Sequence, residues 1–348
     1  MKQLKIVVAL VAGLFAFTSV QAGEVTVSGS MQATHVSNSD VTTGNSLGLN
    51  TDLTFSGSTD TDFGTATWTM ATDGTFLGDS AADHTFNIAT DLGTIGVGNS
   101  GDAANAVDDI TPTAFEEANG SGSGTYTASD VGAGMDGSMS LSYANGDLFG
   151  TGISVAYNYY PRLDAKTNNE KATSEDNNAN TSSAYSANVG VPLAGLPVIG
   201  DTVLGGVKIT AGYHESEARL TNGVALRGGT VALNVPVGPL SIGYQKKAHQ
   251  PLQTGTSTTE ATKAFYKDDV LGIAYAVNDD FAISYNVYES VKHLHSAGTA
   301  VEQETKAINV AYTVGGLTLA LQDAKTDNAN YSTGTSDDVR TISVKTAF

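Results

Sequence analysis

The sequence reads as an all-β chain, a sixteen-stranded antiparallel transmembrane β-barrel, and three features carry that reading. Short segments alternate apolar with small or polar residues at period two, the spacing that sends successive side chains to opposite faces of a strand. The connections alternate between tight turns bearing Gly, Asn or Asp and long polar loops. Beyond the N-terminal segment no apolar run approaches the roughly 20 residues that a spanning helix needs,.

Composition narrows the function classes. The 348 residues carry 17 Lys plus Arg against 36 Asp plus Glu, a formal charge of −19. Nucleic acid is excluded as a partner, because phosphate binding needs clustered cations. The absence of cysteine removes disulfide scaffolds, thiolate metal sites and cysteine nucleophiles, and suits a chain that crosses an oxidising compartment,. Residues 1–22 have the three parts of a secretory signal peptide: Lys2 and Lys5, an apolar run from Ile6 to Val20, and Val20-Gln21-Ala22 before a cleavage after Ala22,. Residues 23–348 then form one barrel domain.

The first five strands are expected near 24–36, 47–58, 63–73, 83–91 and 94–99. Their apolar parity holds Val25, Val27, Met31, Leu49, Leu53, Phe55, Phe86, Ile88, Ile95 and Val97. The opposite parity holds neutral Gln32, Thr54, Ser56, Thr85 and Asn87, with Asp52 as the exception. Strands near 138–145 and 151–161 follow, the second alternating Val155, Tyr157 and Tyr159 with Ser154, Ala156 and Asn158. Next come 184–192, 204–215, 227–236 and 239–248; in the last of these Leu240, Ile242 and Tyr244 oppose Ser241, Gly243 and Gln245. The closing strands 264–277, 280–292, 304–314, 317–325 and 338–348 repeat the pattern. Leu92-Gly93, Val237-Gly238, Asn278-Asp279 and Gly315-Gly316 make tight turns, whereas 162–183 and 326–337 are long and polar; the connection 193–203 fits least well,. All seven prolines fall in loops or at strand ends,.

A soluble β-sandwich also alternates, but it has no reason to keep its turns short at one end only. Nor does it need Tyr159, Tyr213, Tyr244 and Tyr275 near strand ends on the apolar face, where a barrel in a membrane places its aromatic girdle,. No charged residue is expected at mid-strand on the outward face. Closure removes the unpaired edges that lipid cannot satisfy.

The chain resembles the trimeric, sixteen-stranded general porins of Gram-negative bacteria, of the α-proteobacterial type. The resemblance is carried by Glu24-Val25-Thr26-Val27-Ser28-Gly29, by Asp91-Leu92-Gly93-Thr94-Ile95-Gly96-Val97-Gly98, and by a last strand, Val339 to Phe348, ending in an aromatic residue. It implies a water-filled outer-membrane channel for passive diffusion of small hydrophilic solutes and ions, with short periplasmic turns and long extracellular loops. It also implies a homotrimer in outer-membrane lipid, and recognition of Phe348 by the barrel-assembly machinery. The third loop, residues 99–137, is expected to fold inward as the constriction, with Asp102, Asp108, Asp109, Glu116 and Glu117 at the pore and Ile110 and Phe115 anchoring it to the wall. Such porins oppose this loop with arginines, one of them at the position of Asn99. Here no Lys or Arg occurs between Gly23 and Pro161. Asp52, Lys208 and Lys345 are the other expected lumen-facing charges; Lys247 and Lys292 share the inward parity, away from mid-strand. Confined carboxylates raise the local cation concentration, so a weak cation preference is expected.

All 14 tyrosines lie at or after Tyr126, so the wall of the first strands lacks the girdle that lipid favours and is expected to pack against neighbouring subunits,. Other motifs carry less. Gly132-x-Gly134-x-x-Gly137 lacks the strand and helix that a dinucleotide site needs. His293 and His295 read as solvated loop residues without a third metal ligand. No catalytic residue, cofactor or resident metal is expected, with room only for loosely bound divalent cations at the acidic loops. Two alternatives remain open: a channel selective for a sugar or amino acid, and a closed barrel serving as structural anchor or adhesin.

Overall fold

The computed structural model describes residues 25–38, 45–72, 83–99, 101–118, 131, 135, 137–163, 181–195, 206–218, 225–251, 264–294 and 300–348. The signal segment, the Gly120–Gly124 stretch and most of the Gly132–Gly137 motif lie outside them. The strands are β1 (Val25–Asn38), β2 (Leu47–Thr61), β3 (Gly64–Thr72), β4 (Asp83–Thr90), β5 (Gly93–Gly98), β6 (Ser140–Asn145), β7 (Ser154–Tyr160) and β8 (Thr181–Pro192). They continue with β9 (Lys208–Ala218), β10 (Arg227–Val237), β11 (Leu240–Gln250), β12 (Ala264–Ala276), β13 (Phe281–Leu294), β14 (Val301–Val314), β15 (Leu317–Asp327) and β16 (Ser336–Ala347). Each pairs antiparallel with its sequence neighbours, and β1 closes on β16 from Ser30↔Ala347 to Asn38↔Val339. At that seam Gly29 and Phe348 exchange backbone hydrogen bonds of 3.0 and 2.9 Å, so the last residue is stitched to the first strand. No described helix is long and apolar enough to cross a membrane.

Burial is inverted relative to a water-soluble protein. Outward Tyr244, Tyr275, Tyr285, Tyr312 and Ile308 are exposed, while inward Gln245, Asn286, Gln303, Asn309 and Gln322 are fully buried. A sandwich in water would lose the hydrophobic stabilisation of every one of those apolar side chains. A wall facing lipid loses none, and closure satisfies its ladder internally.

Several boundaries move relative to the sequence expectation. β7 begins at Ser154 and β9 at Lys208; β15 runs on to Asp327 and β16 starts at Ser336, leaving only 328–335 as loop. Charges are also present on the outward face, on the outer half of β11–β16. Lys246 donates to Asp269 at 2.5 Å, Lys306 pairs with Glu304 and Arg340 with Asp323. Asp269 is well inside β12, contrary to the expectation of uncharged outward mid-strand positions. Pairing offsets the cost of placing these charges there: Lys246–Asp269 and Arg340–Asp323 join adjacent strands, where opposite charges attract, and Lys306–Glu304 lies within β14,.

Candidate pore constriction

The third loop lies along the inner wall from β7 to β15, and its attachment can be followed strand by strand. Ala103 donates its backbone N–H to Asn158 on β7 (3.1 Å), and its carbonyl accepts from Asn188 on β8 (2.6 Å). Ile110 donates to the Gln245 amide oxygen on β11 (3.2 Å) and accepts from Asn234 on β10 (2.9 Å). The Pro112 carbonyl accepts from Asn286 on β13 (3.0 Å), and Ala114 donates to Ser284 (2.9 Å). Asn309 on β14 donates to Thr113, and Gln322 on β15 to the carbonyls of Glu116 and Glu117 (3.1 and 3.0 Å). Wall amides thus replace the water that an irregular backbone would otherwise need.

Where the loop crosses the remaining strands the wall has no side chain. A Cβ on Gly212 of β9 would stand 2.6 Å from the Val107 side chain, and one on Gly272 of β12 2.6 Å from the Pro112 carbonyl. A Cβ on Gly243 of β11 would overlap the Pro112 ring. Glycine at these positions leaves the room that the loop needs to lie against the wall,.

One cation secures the centre. Lys247 of β11 is buried; its ammonium lies 2.5 Å from Asp109 and 3.1 Å from Asp108, and 4.9 Å over the Tyr288 ring. Asp108 also accepts the Val131 N–H at 2.9 Å. Burial, partly offset by Lys247, raises the Asp108 carboxyl to about 7. Glu117 accepts both the N–H and the hydroxyl of Thr111 (3.0 and 2.9 Å), and burial with the nearby Asp109 charge raises it to about 8. Glu116 is raised by burial as well. Asp102 accepts from Ala104 and Asn105 (2.6 and 3.2 Å), holding the short turn Asn105–Val107.

The five expected constriction carboxylates are therefore brought onto one inner wall but are not equally presented to water. Asp102, Asp108 and Glu117 are buried; Asp109 and Glu116 are half-exposed. Ile110 and Phe115 are also half-exposed, and Ala103, Ala104, Val107, Thr111 and Ala118 are the residues packed away. Attachment through backbone hydrogen bonds and small side chains takes the place of two large apolar anchors. Asn99 is buried: its side-chain oxygen accepts the His84 N–H at 2.6 Å, extending the β4–β5 ladder instead of facing the pore.

On the opposite side β1–β5 present Gln32, Thr54, Ser56, Thr85 and Asn87, with Asp52 held by Ser30 and Asn50 at 3.0 Å each. A crevice of about 250 Å³ separates the loop from β4–β8, lined by Thr85, Asn87, Asp102, Ser142, Asn158 and Asn188. Lys208 and Lys345 are exposed at the turn-side mouth, and Lys292 sits 5.7 Å over the Tyr331 ring at the other end. Lys247 is the residue whose role sequence reasoning missed. Its signal was a cation of inward parity in a chain otherwise poor in them, opposite a loop carrying Asp108-Asp109.

No family model matches the chain, and no curated protein matches its sequence. Solved structures do. A porin refined at 1.8 Å resolution shares 16% identity over 93% of this chain and 100% of its own, with a TM-score of 0.62. OmpF of Salmonella typhi, solved with daunomycin, shares 16% over 94% of this chain and 98% of its own, at 0.62. OmpT of Vibrio cholerae in its trimer form shares 13% over 94% and 100%, again at 0.62. The likeness also takes in a Rh. blastica porin variant, at 13% and 0.56, and so extends over general porins as a class. The chain has the porin fold.

Proposed function

We propose that this chain is an outer-membrane diffusion porin, a water-filled channel for small hydrophilic solutes and ions with a weak cation preference. The observation that supports it most is the third loop, whose described residues are seated along the inner wall from β7 to β15, across from the hydroxyl- and amide-bearing wall of β1–β5. Diffusion of polar solutes needs an aqueous path lined by hydroxyls and amides, and that wall supplies one. The preference is weak because Lys247 offsets Asp108 and Asp109 and burial withdraws Asp102 and Glu117, so Glu116, the exposed edge of Asp109 and Asp52 carry the field.

The further parts of this reading rest on the sequence together with the fold. Residues 1–22 direct export and are removed after Ala22. Three copies associate through β1–β5, whose outward Val25, Val27, Leu47 and Leu49 are exposed in the single chain; a trimer form is known for the Vibrio cholerae OmpT to which the fold is similar. Phe348, at the seam with β1, is the residue that the assembly machinery reads. Neither catalysis nor a cofactor is needed. Liposome swelling with neutral sugars of increasing size tests the proposal: swelling that falls smoothly with solute size supports it. Swelling with one sugar alone would favour a selective channel, and none would favour a structural barrel.

A further inference from the structure

We propose that His214 and His249 form a two-imidazole binding site for a divalent transition-metal ion on the inner wall, on the loop side of the constriction. The two residues belong to one cross-strand row: His214 of β9 pairs with Gly228 of β10, which pairs with His249 of β11. Side chains two strands apart normally stand some 10 Å apart at their roots, since neighbouring strands are about 4.8 Å apart. Here the ring centroids are 5.5 Å apart at an interplanar angle of 60°. The intervening Gly228 makes that possible. A Cβ there would meet His214 Cε1 at 2.7 Å and Nε2 at 3.0 Å, so the nitrogen-bearing edge of His214 leans across β10 toward its partner.

The nitrogens are what make the pair a site. His214 is 0% exposed and His249 5%, and Nδ1 and Nε2 of His214 and Nδ1 of His249 are buried with no hydrogen-bond partner. Buried polar atoms without partners are uncommon, because each forgoes a hydrogen bond to water of order 1–3 kcal/mol. A metal ion supplies the missing partner for both rings. Metal–imidazole bonds of about 2.0–2.1 Å put each ring centre roughly 3.2 Å from the ion, and a tetrahedral angle then separates the centres by about 5.2 Å. The observed 5.5 Å needs only a small adjustment. Imidazole pairs suit Cu²⁺, Zn²⁺ or Ni²⁺ and not the oxygen-seeking Ca²⁺ or Mg²⁺. Among the described residues no group of three His, Cys, Asp or Glu could hold a metal, so the two imidazoles are the protein ligands of this site.

Lys247, two residues from His249 on the same face, is itself neutralised by Asp108 and Asp109. The neighbouring row toward the loops is apolar, with Leu226 bonded to the Ser216 N–H at 2.9 Å and packed with Met135, Tyr160, Leu163 and Ala184.

The test is titration of the folded protein in detergent with Cu²⁺ at neutral pH, followed by equilibrium dialysis and electron paramagnetic resonance. One tight ion per chain with two coordinated nitrogens is expected. His214→Ala and His249→Ala should each weaken binding at least about tenfold, a loss of about 1.4 kcal/mol, and remove the two-nitrogen pattern. Should either alanine variant fail to give the heat-modifiable barrel, His214→Gln and His249→Gln carry the same comparison. A His293→Ala/His295→Ala variant should bind as the parent does. Oxygen-only coordination in the parent, or a nitrogen signal abolished by the His293/His295 substitutions, would overturn the assignment.

Discussion

Replacing Lys247 with Met removes the ammonium that pairs with Asp108 and Asp109 while keeping most of the side-chain volume. The Coulomb attraction across 3.1 Å to Asp108 amounts to about 5 kcal/mol at an effective dielectric of 20,. Desolvation cancels much of that in the intact pair, but breaking a buried pair by removing one partner costs about 3–5 kcal/mol because the other charge is left uncompensated. Two responses limit the loss. Asp108, already raised to about 7 by burial, loses the neighbour that held it down and becomes protonated at neutral pH. Asp109, half-exposed, turns to water and carries the 108–110 stretch off the wall. The assay is single-channel recording of the reconstituted variant. Lys247→Met should keep the barrel and its heat-modifiable band, but show current fluctuations absent from the parent and a stronger cation preference, since Asp109 is released into the pore. A Lys247→Met/Asp108→Asn/Asp109→Asn variant removes all three charges together and should restore quiet channels. If Lys247→Met is as quiet and as selective as the parent, this ion pair does not hold the loop.

Further expectations concern the loop, its titration and the outer wall. Asp108 and Glu117 bind protons more tightly in the folded chain, at about 7 and about 8, than at their ordinary 3.8 and 4.5. The stability they contribute is complete below the ordinary values and is lost as pH rises toward the folded ones, so loop seating weakens between about pH 4 and 8, while pore charge grows between about pH 6 and 9,. The reversal potential should become more cation-selective over that range, and Asp108→Asn/Glu117→Gln should flatten the dependence. Gly243→Val places a side chain where the Pro112 ring lies, and overpacking of this kind costs about 1–3 kcal/mol,. It should raise conductance by displacing the loop without unfolding the barrel; unchanged conductance would show that the wall glycines are not needed there. Leu49→Lys on β2 should abolish the trimer band in unheated detergent electrophoresis, while Ile283→Lys on β13 should spare it. Equal effects of the two would contradict the assignment of the subunit interface.

The barrel was legible because lipid reverses the usual burial rule and makes each strand declare two faces. Ile283, Tyr285 and Val287 on one parity and Ser284, Asn286 and Tyr288 on the other are an unmistakable period of two,. Strand ends were less so, since Thr, Ser and Asp at 323–338 serve strand and loop equally well. The position of the third loop came with the family resemblance. How it is attached was encoded elsewhere, in Asn234, Gln245, Asn286, Asn309 and Gln322, which are far from the loop in sequence and ordinary as lumen residues. Only the register shows that they line up beneath it, with Gly212, Gly243 and Gly272 clearing its path. Residue type did not tell how each charge is presented: of the five carboxylates expected at the pore, burial withdraws three.

Single-channel conductance of the purified protein under a salt gradient tests the central claim most directly, because step size reads the open lumen and reversal potential reads its field. Large steps in groups of three, with a modestly cation-selective reversal potential that grows with pH, are the predicted result. An anion-selective reversal potential would contradict the electrostatics of the constriction, and the absence of steps would contradict the channel itself.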